Sequence, residues 1–111
     1  MQDLPLETDC RSTKAQLDAG ADFLFVDCRE PDEHATARIQ GATLLPMSEI
    51  SARIGELERR RNRPIVVHCH HGGRSLQVTR WLREQNFPHV QSMAGGIDQW
   101  STEIDSAVPR Y

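Results

Sequence analysis

The sequence has few cysteines and no close-spaced pair among them. Cys10, Cys28 and Cys69 make an odd count of 3, which argues against a disulfide framework and a four-thiolate zinc site. At least one thiol is therefore expected to be free. No apolar run is long enough to cross a bilayer, and the segment from Met1 to Glu7 has neither a basic leader nor a signal-like apolar stretch. We therefore expect a cytoplasmic protein that does not bind a membrane.

The sequence also lacks a strong charge bias. Its formal net charge of -3 gives no general attraction to nucleic-acid phosphates. One dense basic run, residues 59–63, is interpreted as a solvated loop, with nucleic-acid or anionic-surface binding as the weaker alternative. With 38% hydrophobic and 26% charged residues among 111, the chain is predicted to form one globular domain over residues 1–111.

Short apolar runs alternate along the chain with segments of helical periodicity. This alternation is typical of an α/β fold, in which parallel strands are joined by crossover helices. Residues 23–26 and 65–67 are continuously apolar and are predicted to be central strands covered on both faces. Weaker strands are predicted at residues 4–8, 44–45 and 90–93.

Helical patterns fall between these strands. The predicted helices are residues 12–19, a segment capped by Ser48 with apolar residues at 50, 54 and 57, residues 75–85, and a segment from Ile97 after the pair Gly95-Gly96. In the segment after Ser48 and in residues 75–85 the apolar residues recur three or four positions apart, which predicts one buried face on each of these two helices. Trp81 and Trp100 are interpreted as core anchors.

The segment most informative about function joins a buried strand to a helix through a cysteine and a glycine-bearing loop. Cys69 follows the strand, and ligands of open α/β sheets bind at that carboxyl end. Gly72 and Gly73 allow backbone N–H groups to turn inward, and the helix start adds donors. Such a cradle is expected to lower the pKa of Cys69 below its usual value of about 8.5. Arg74 and Ser75 are expected to help bind the thiolate, a persulfide or an oxyanion such as thiosulfate.

The neighbouring histidines have two interpretations. A metal site is disfavoured, because adjacent strand residues point to opposite faces and no second ligand pair at the spacing of a metal motif occurs elsewhere in the sequence. His70 and His71 are interpreted as side chains at the pocket mouth that bind an anionic donor or move a proton. His34 and His89 are expected to face solvent. The alternative for Cys69 itself is an inert core thiol, which the polar residues after it disfavour.

Asp27 and Arg29, which follow the strand at 23–26, are expected to support the site. Asp27 lies at the same edge of the sheet as Cys69 and is expected to contact Arg29 or to cap a turn. Cys28 alternates with apolar residues of the strand and is predicted to pack against a helix rather than to act as a resolving thiol.

Three signatures resemble the rhodanese homology domain. Residues 26–42 read Val-Asp-Cys-Arg and later Arg-Ile-Gln-Gly-Ala, where the family usually has Asp-x-Arg followed by Gly-His-Ile-x-Gly-Ala. Here Ala37-Arg38 replaces the usual Gly-His. The second signature is the loop from Cys69 to Ser75, with Gly at +3 and Arg at +5. The third is Gly-Gly-x-x-x-Trp at residues 95–100.

The resemblance runs from about Asp9 to Trp100 and implies a three-layer α/β/α fold with a central five-stranded parallel sheet. It also implies a sulfurtransferase that carries sulfane sulfur as a Cys69 persulfide. The donor would be thiosulfate or a protein persulfide, and the acceptor a thiol, a protein or cyanide. The family requires no cofactor.

Two alternatives stay open. The first is a cysteine-dependent phosphatase of the rhodanese fold, since such enzymes, including dual-specificity cell-cycle phosphatases, resemble Cys-x5-Arg. Their arginine stands at +6, where this chain has Ser75. The second is a non-catalytic binding module, because fold alone does not confer activity. In such modules the cysteine is commonly replaced, whereas Cys69 is present.

Overall fold

A computed structural model describes residues 4–111 of the chain. Residues 1–3, the beginning of the segment inspected for a leader, lie outside the described residues. The elements in chain order are β1 Glu7–Thr8, α1 Cys10–Asp18, β2 Leu24–Asp27, α2 Pro31–Thr36, β3 Thr43–Leu44, a 3₁₀ helix Ile54–Arg60, β4 Ile65–His68, α3 Gly73–Glu84, β5 Val90–Met93 and α4 Gly96–Glu103. Within residues 4–111, none of these helices has the length and apolarity needed to cross a membrane.

The five strands form one parallel sheet in the order β1-β5-β4-β2-β3. β4 lies at the centre, and its neighbour β2 is in register with it, so that Asp27 lies beside His68. The predicted fold class is confirmed. The weak edge-strand pattern at residues 4–8 corresponds to only two paired residues, Glu7 and Thr8.

Both faces of the sheet are covered, which explains why the central strands lack polar alternation. Val26 and Val67 pack on one face with α3 and the 3₁₀ helix. Phe25 and Val66 pack on the other face with α1 and α4. Trp100 is buried as predicted, while Trp81 is only partly buried against the first face.

The region after β3 differs from its prediction. Ser48 does not cap a helix; its hydroxyl donates to Glu30 Oε1 at 2.7 Å, and turns precede a 3₁₀ helix that starts only at Ile54. The apolar stripe nevertheless faces the core, because Ile50 and Leu57 are buried. Thus the periodicity correctly identified the buried side chains but not the type of helix.

The sequence patterns missed α2. This helix begins with Pro31, and the Glu30 and Glu33 side chains form a reciprocal capping box around its start. A proline at the first position and a glutamate three residues after the cap are start signals that the sequence contains. α2 is short, which hides its periodicity, yet it supplies Glu33 to the site described below.

The basic run is more structured than the predicted solvated loop. Arg60 and Arg63 both form ion pairs with Asp22. Arg61 pairs with Glu58, and its guanidinium lies 4.3 Å from the centre of the Phe87 ring. These arginines therefore bind groups of the same chain.

Candidate active site

Cys69 lies immediately after the central strand β4, at the carboxyl edge of the sheet, as predicted. Two backbone N–H groups donate to its sulfur: Gly72 at 3.1 Å and Ser75 at 3.3 Å. Gly72 adopts a φ of 107°, a left-handed conformation that favours glycine and turns its N–H toward the sulfur. The Ser75 hydroxyl oxygen lies 3.4 Å from the same sulfur. The predicted cradle of donors is therefore present around Cys69.

These donors hold Cys69 as a thiolate. Its pKa is lowered to about 4, because the adjacent Cys28 thiol and then the Ser75 and Gly72 donors stabilise the anion, which outweighs the effect of burial. The pKa of Cys28 is raised far above its usual range, chiefly by the same interaction with Cys69. At neutral pH Cys28 therefore keeps its proton, while Cys69 is an anion.

The thiolate is more enclosed than the sequence suggested. Cys69 is only 1% exposed, although a position at the end of a strand, where ligands bind, predicts an open site. Ser75 is also buried, and its hydroxyl shares a 2.7 Å hydrogen bond with Ser92 of β5. No local motif marks Ser92, because it reaches the site only through the pairing of β5 with β4.

The sequence predicts that Arg74 helps to bind the Cys69 thiolate. In the structure, its donors are directed elsewhere. Its two terminal nitrogens bind the carboxylate of Glu33 at 2.6 and 2.8 Å. This bidentate geometry is the strongest form of an arginine–carboxylate pair, and it holds the pKa of Glu33 at about 2. Arg74 thus joins the start of α3 to α2 across the site.

Tyr111 covers the loop on the outer side. Its ring stacks on His70 with centroids 4.0 Å apart and planes 7° from parallel, while His71 stacks on His70 at 4.0 Å. The Tyr111 hydroxyl donates to Glu33 Oε2 at 2.8 Å and accepts from Arg29 at 2.9 Å. Sequence reasoning missed Tyr111, because no local pattern links it to the loop. His71 remains exposed at the mouth.

Asp27 and Arg29 form a buried ion pair behind α2, as expected from their spacing. Arg29 is 0% exposed and binds both Asp27 oxygens, at 2.9 and 2.7 Å. Burial acts to raise the pKa of Asp27, but the Arg29 hydrogen bonds leave it lowered. The prediction that His34 faces solvent is wrong, because its Nδ1 lies 3.0 Å from Asp27 Oδ2. His89 is exposed, as predicted. Asp27 and Arg29 also bind the backbone after β2, at the Arg29 N–H and the Ala37 carbonyl oxygen.

The pair Gly95-Gly96 anchors the loop from the opposite side. The N–H groups of Ile97 and Asp98 donate to the carbonyl oxygens of Cys69 and His70, at 2.9 and 3.1 Å. A Cβ on Gly96 would lie 2.5 Å from each of those two oxygens. The predicted tight turn near the loop is confirmed, and its glycine permits close contact between two backbone segments.

Gly96→Ala is expected to destabilise the protein more than Gly20→Ala. Both glycines have similar positive φ values, 60° and 66°, so both substitutions create backbone strain of about 1–3 kcal/mol. Only Gly96→Ala adds a backbone clash, since nothing lies within 4 Å of a Cβ on Gly20. Urea denaturation should show an extra loss of about 1–3 kcal/mol for Gly96→Ala. Equal losses would contradict this role for Gly96.

The chain is similar in sequence to known sulfurtransferases. The chain is 36% identical over 95 residues to a protein named sulfurtransferase from Allochromatium vinosum, covering 86% of this chain and 87% of that protein. It is 30% identical over 89 residues to the thiosulfate sulfurtransferase GlpE of Pseudoalteromonas translucida, covering 80% of this chain and 83% of that one. By contrast, it spans only 30% of the Arabidopsis thaliana rhodanese-like/PpiC domain-containing protein 12, to which it is 33% identical over 78% of its own length.

A solved structure has the same fold. The crystal structure of a rhodanese-related protein from Thermoplasma volcanium superposes with a TM-score of 0.78 at 25% identity, covering 90% of this chain and 94% of that one. The profile of the rhodanese-like domain matches residues 10–103, which include every strand except β1, the Cys69 loop and the Gly95-Gly96 turn. The chain therefore belongs to the rhodanese-like domain family.

Proposed function

We propose that this protein is a sulfurtransferase that moves sulfane sulfur from thiosulfate, or from a protein persulfide, to a thiol or cyanide acceptor through a persulfide on Cys69. The observation that carries the proposal is a buried thiolate held by two backbone N–H groups at the carboxyl end of a central strand. The names of the relatives, which include a thiosulfate sulfurtransferase, support the same chemistry.

The first half-reaction uses the low pKa of Cys69. Its thiolate attacks the outer sulfur of thiosulfate, the S–S bond of the donor breaks, and sulfite leaves with the bonding electron pair. The outer sulfur stays on Cys69 as a persulfide anion. The N–H groups of Gly72 and Ser75 stabilise the thiolate before the attack. They would also stabilise this second anion, once the loop shifts to make room for the added sulfur atom.

In the second half-reaction Cys69 is the leaving group instead of the nucleophile. A cyanide ion or a thiolate attacks the outer sulfur, and the Cys69–sulfur bond breaks. Thiocyanate or a new persulfide leaves, and the Cys69 thiolate is restored. A leaving group with a low pKa departs readily, so the interactions that make Cys69 a thiolate also favour this step.

Entry to the site requires movement, because Cys69 is almost fully buried. The groups over the loop are the Glu33–Arg74 ion pair and the Tyr111 ring. An anionic donor or a protein acceptor would exchange places with Glu33 on Arg74, which gives this cation its role in binding. His71 is exposed and stacks on His70, and it is proposed to assist at the mouth of the site. Persulfide chemistry needs reduced thiols, which supports action in the cytoplasm.

Thiosulfate is expected to add one sulfur atom to the wild-type protein, and intact mass spectrometry measures this directly. Cys69→Ser should remain unmodified, because only Cys69 is held as a thiolate. Cys10→Ser is the matched control, because Cys10 is buried on the opposite face of the sheet from Cys69. Its thiol donates to the Gly96 carbonyl oxygen at 3.7 Å and its pKa is raised to about 11 by burial, so this variant should gain the sulfur like the wild type. Cyanide should remove the adduct. An adduct that persists in Cys69→Ser would refute the proposal.

A further inference from the structure

Cys28 and Cys69 occupy neighbouring positions on the two central strands. β2 and β4 are parallel, with Asp27 in register with His68, and the next hydrogen bond runs from the Cys28 N–H to the His68 carbonyl at 3.0 Å. Cys28 and Cys69 are therefore the next register pair. Adjacent strands lie about 4.8 Å apart, within the range of about 4.4–6.8 Å between the Cα atoms of disulfide-bonded cysteines.

The two side chains also lie on the same face of the sheet. Both belong to the cluster that packs under α3, together with Val26 and Val67, the residues two positions before each of them. Cys10 packs in the cluster on the opposite face. All three cysteines are free thiols in this structure. The fold therefore brings together two of them and separates the third.

We propose that oxidation of Cys69 by a peroxide leads to a reversible Cys28–Cys69 disulfide, which protects Cys69 from irreversible oxidation and stops sulfur transfer until a thiol reduces it. The effect on transfer rests on the proposed function, whereas formation of the disulfide requires only a reactive Cys69. Cys28, which stabilises the Cys69 thiolate but does not bond to the transferred sulfur, thereby has a second role as a resolving cysteine.

The chemistry balances in two steps. The Cys69 thiolate attacks one oxygen of hydrogen peroxide, the O–O bond breaks, and hydroxide leaves, so that Cys69 becomes a sulfenic acid. The Cys28 sulfur then attacks the Cys69 sulfur, the S–O bond breaks, and hydroxide leaves with the proton that Cys28 loses, as water. Two thiols are oxidised and one peroxide is reduced. An external dithiol reverses the reaction by thiol–disulfide exchange.

The arrangement makes the second step depend on the first. While Cys69 is an anion, its charge keeps the proton on Cys28, so that Cys28 is a poor nucleophile. A sulfenic acid carries no such charge, and Cys28 then loses its proton more easily. Peroxide therefore reacts with the Cys69 thiolate before it reacts with the Cys28 thiol. A site that admits thiosulfate also admits the smaller peroxide.

The experiment is graded peroxide treatment without thiols, followed by denaturation in an alkylating reagent and intact mass measurement. The wild type should lose two hydrogen atoms, and only Cys10 should be alkylated. Dithiothreitol should restore three alkylatable cysteines and nearly all of the lost thiosulfate:cyanide transfer. Cys28→Ser should instead gain two or three oxygen atoms at Cys69 and recover no activity lost to oxidation. Cys10→Ser, the matched control, should behave like the wild type.

Peptide mapping of the wild type under non-reducing conditions decides the proposal even if Cys28→Ser folds poorly. A peptide pair linked through Cys28 and Cys69 supports it. Overoxidation of wild-type Cys69 at the peroxide dose that overoxidises Cys28→Ser, or a linkage through Cys10, would overturn it. If the disulfide forms in a protein that transfers no sulfur, only the proposed function fails. If transfer occurs but no disulfide forms, only this inference fails.

Discussion

Iodoacetamide is expected to alkylate Cys69 at a rate that is nearly constant from about pH 8 down to about pH 5, since only the thiolate reacts. The rate should halve near the pKa of about 4 and fall tenfold for each further pH unit. The slow entry implied by burial lowers every rate in the profile and leaves its midpoint unchanged. The same protein unfolded in urea is the control, and its profile should follow the usual thiol pKa of about 8.5.

Variants separate the groups that lower this pKa. Cys28→Ala removes the largest stabiliser of the thiolate and should raise the midpoint by roughly one to two pH units, because a hydrogen bond to a charged group contributes about 1.5–3 kcal/mol. Cys28→Ser keeps a donor and should raise it less. Arg74→Ala should have the smallest effect, because Arg74 is paired with Glu33. A wild-type midpoint near that of the unfolded chain would contradict the cradle.

The lowered pKa also predicts how stability depends on pH. Between about pH 4 and about pH 8.5, Cys69 carries no proton in the folded protein but carries one when unfolded. The unfolded state then binds more protons, so this group makes the free energy of unfolding rise with pH across that window and its contribution is lost as pH falls toward 4. Cys69→Ser removes this part of the pH dependence, which urea titrations at several pH values would detect.

The sequence predicted the parts of the site that local patterns encode. Continuous apolar runs identified β2 and β4, and the glycines after Cys69 identified the loop, because a strand, a turn and a helix start each leave a short-range signal. The hydrogen bonds from Gly72 and Ser75 follow from that local geometry. The predicted contact between Asp27 and Arg29, two residues apart, was confirmed for the same reason.

The partners that come from distant segments were not predictable in this way. Arg74 binds Glu33, which is 41 residues away in the sequence, and Tyr111 reaches Glu33 from 78 residues away. Neither contact has a periodicity or a motif. The adjacency of Cys28 and Cys69 depends on the register of β2 against β4, which apolar runs alone do not specify. A sequence pattern therefore locates Cys69 and its loop better than it locates the distant groups that pack around them.

Loss of Cys69 is expected to have the largest effect on activity. Cys69→Ser should lower the rate of thiocyanate formation from thiosulfate and cyanide by at least about a thousandfold, because a hydroxyl is a far weaker nucleophile and forms no persulfide. Cys10→Ser should retain the wild-type rate. Thiocyanate is measured in the same preparation that is used for the phosphatase assay below.

The same preparation should not hydrolyse aryl phosphates above the rate of Cys69→Ser. Phosphoryl transfer spreads negative charge over three equatorial oxygens, so it needs a wide ring of donors and a free arginine above the nucleophile. Here Gly72 and Ser75 supply the backbone donors to the Cys69 sulfur. The Glu33–Arg74 pair does not discriminate, because thiosulfate and a phosphate dianion would both displace Glu33 from Arg74, so the discrimination rests on the size of the ring of donors.

Loop length adds to this discrimination, because Arg74 follows Cys69 by five residues and Ser75 occupies the sixth position. A terminal sulfur atom needs only the space next to the thiolate, whereas a tetrahedral phosphate needs room for three more oxygens. Inserting one glycine between Gly73 and Arg74 would widen the loop. That variant should lose most sulfur transfer, and it is the change best suited to admit phosphate. Cys69-dependent phosphate release by the wild type, without thiocyanate formation, would reverse the assignment from sulfur to phosphorus.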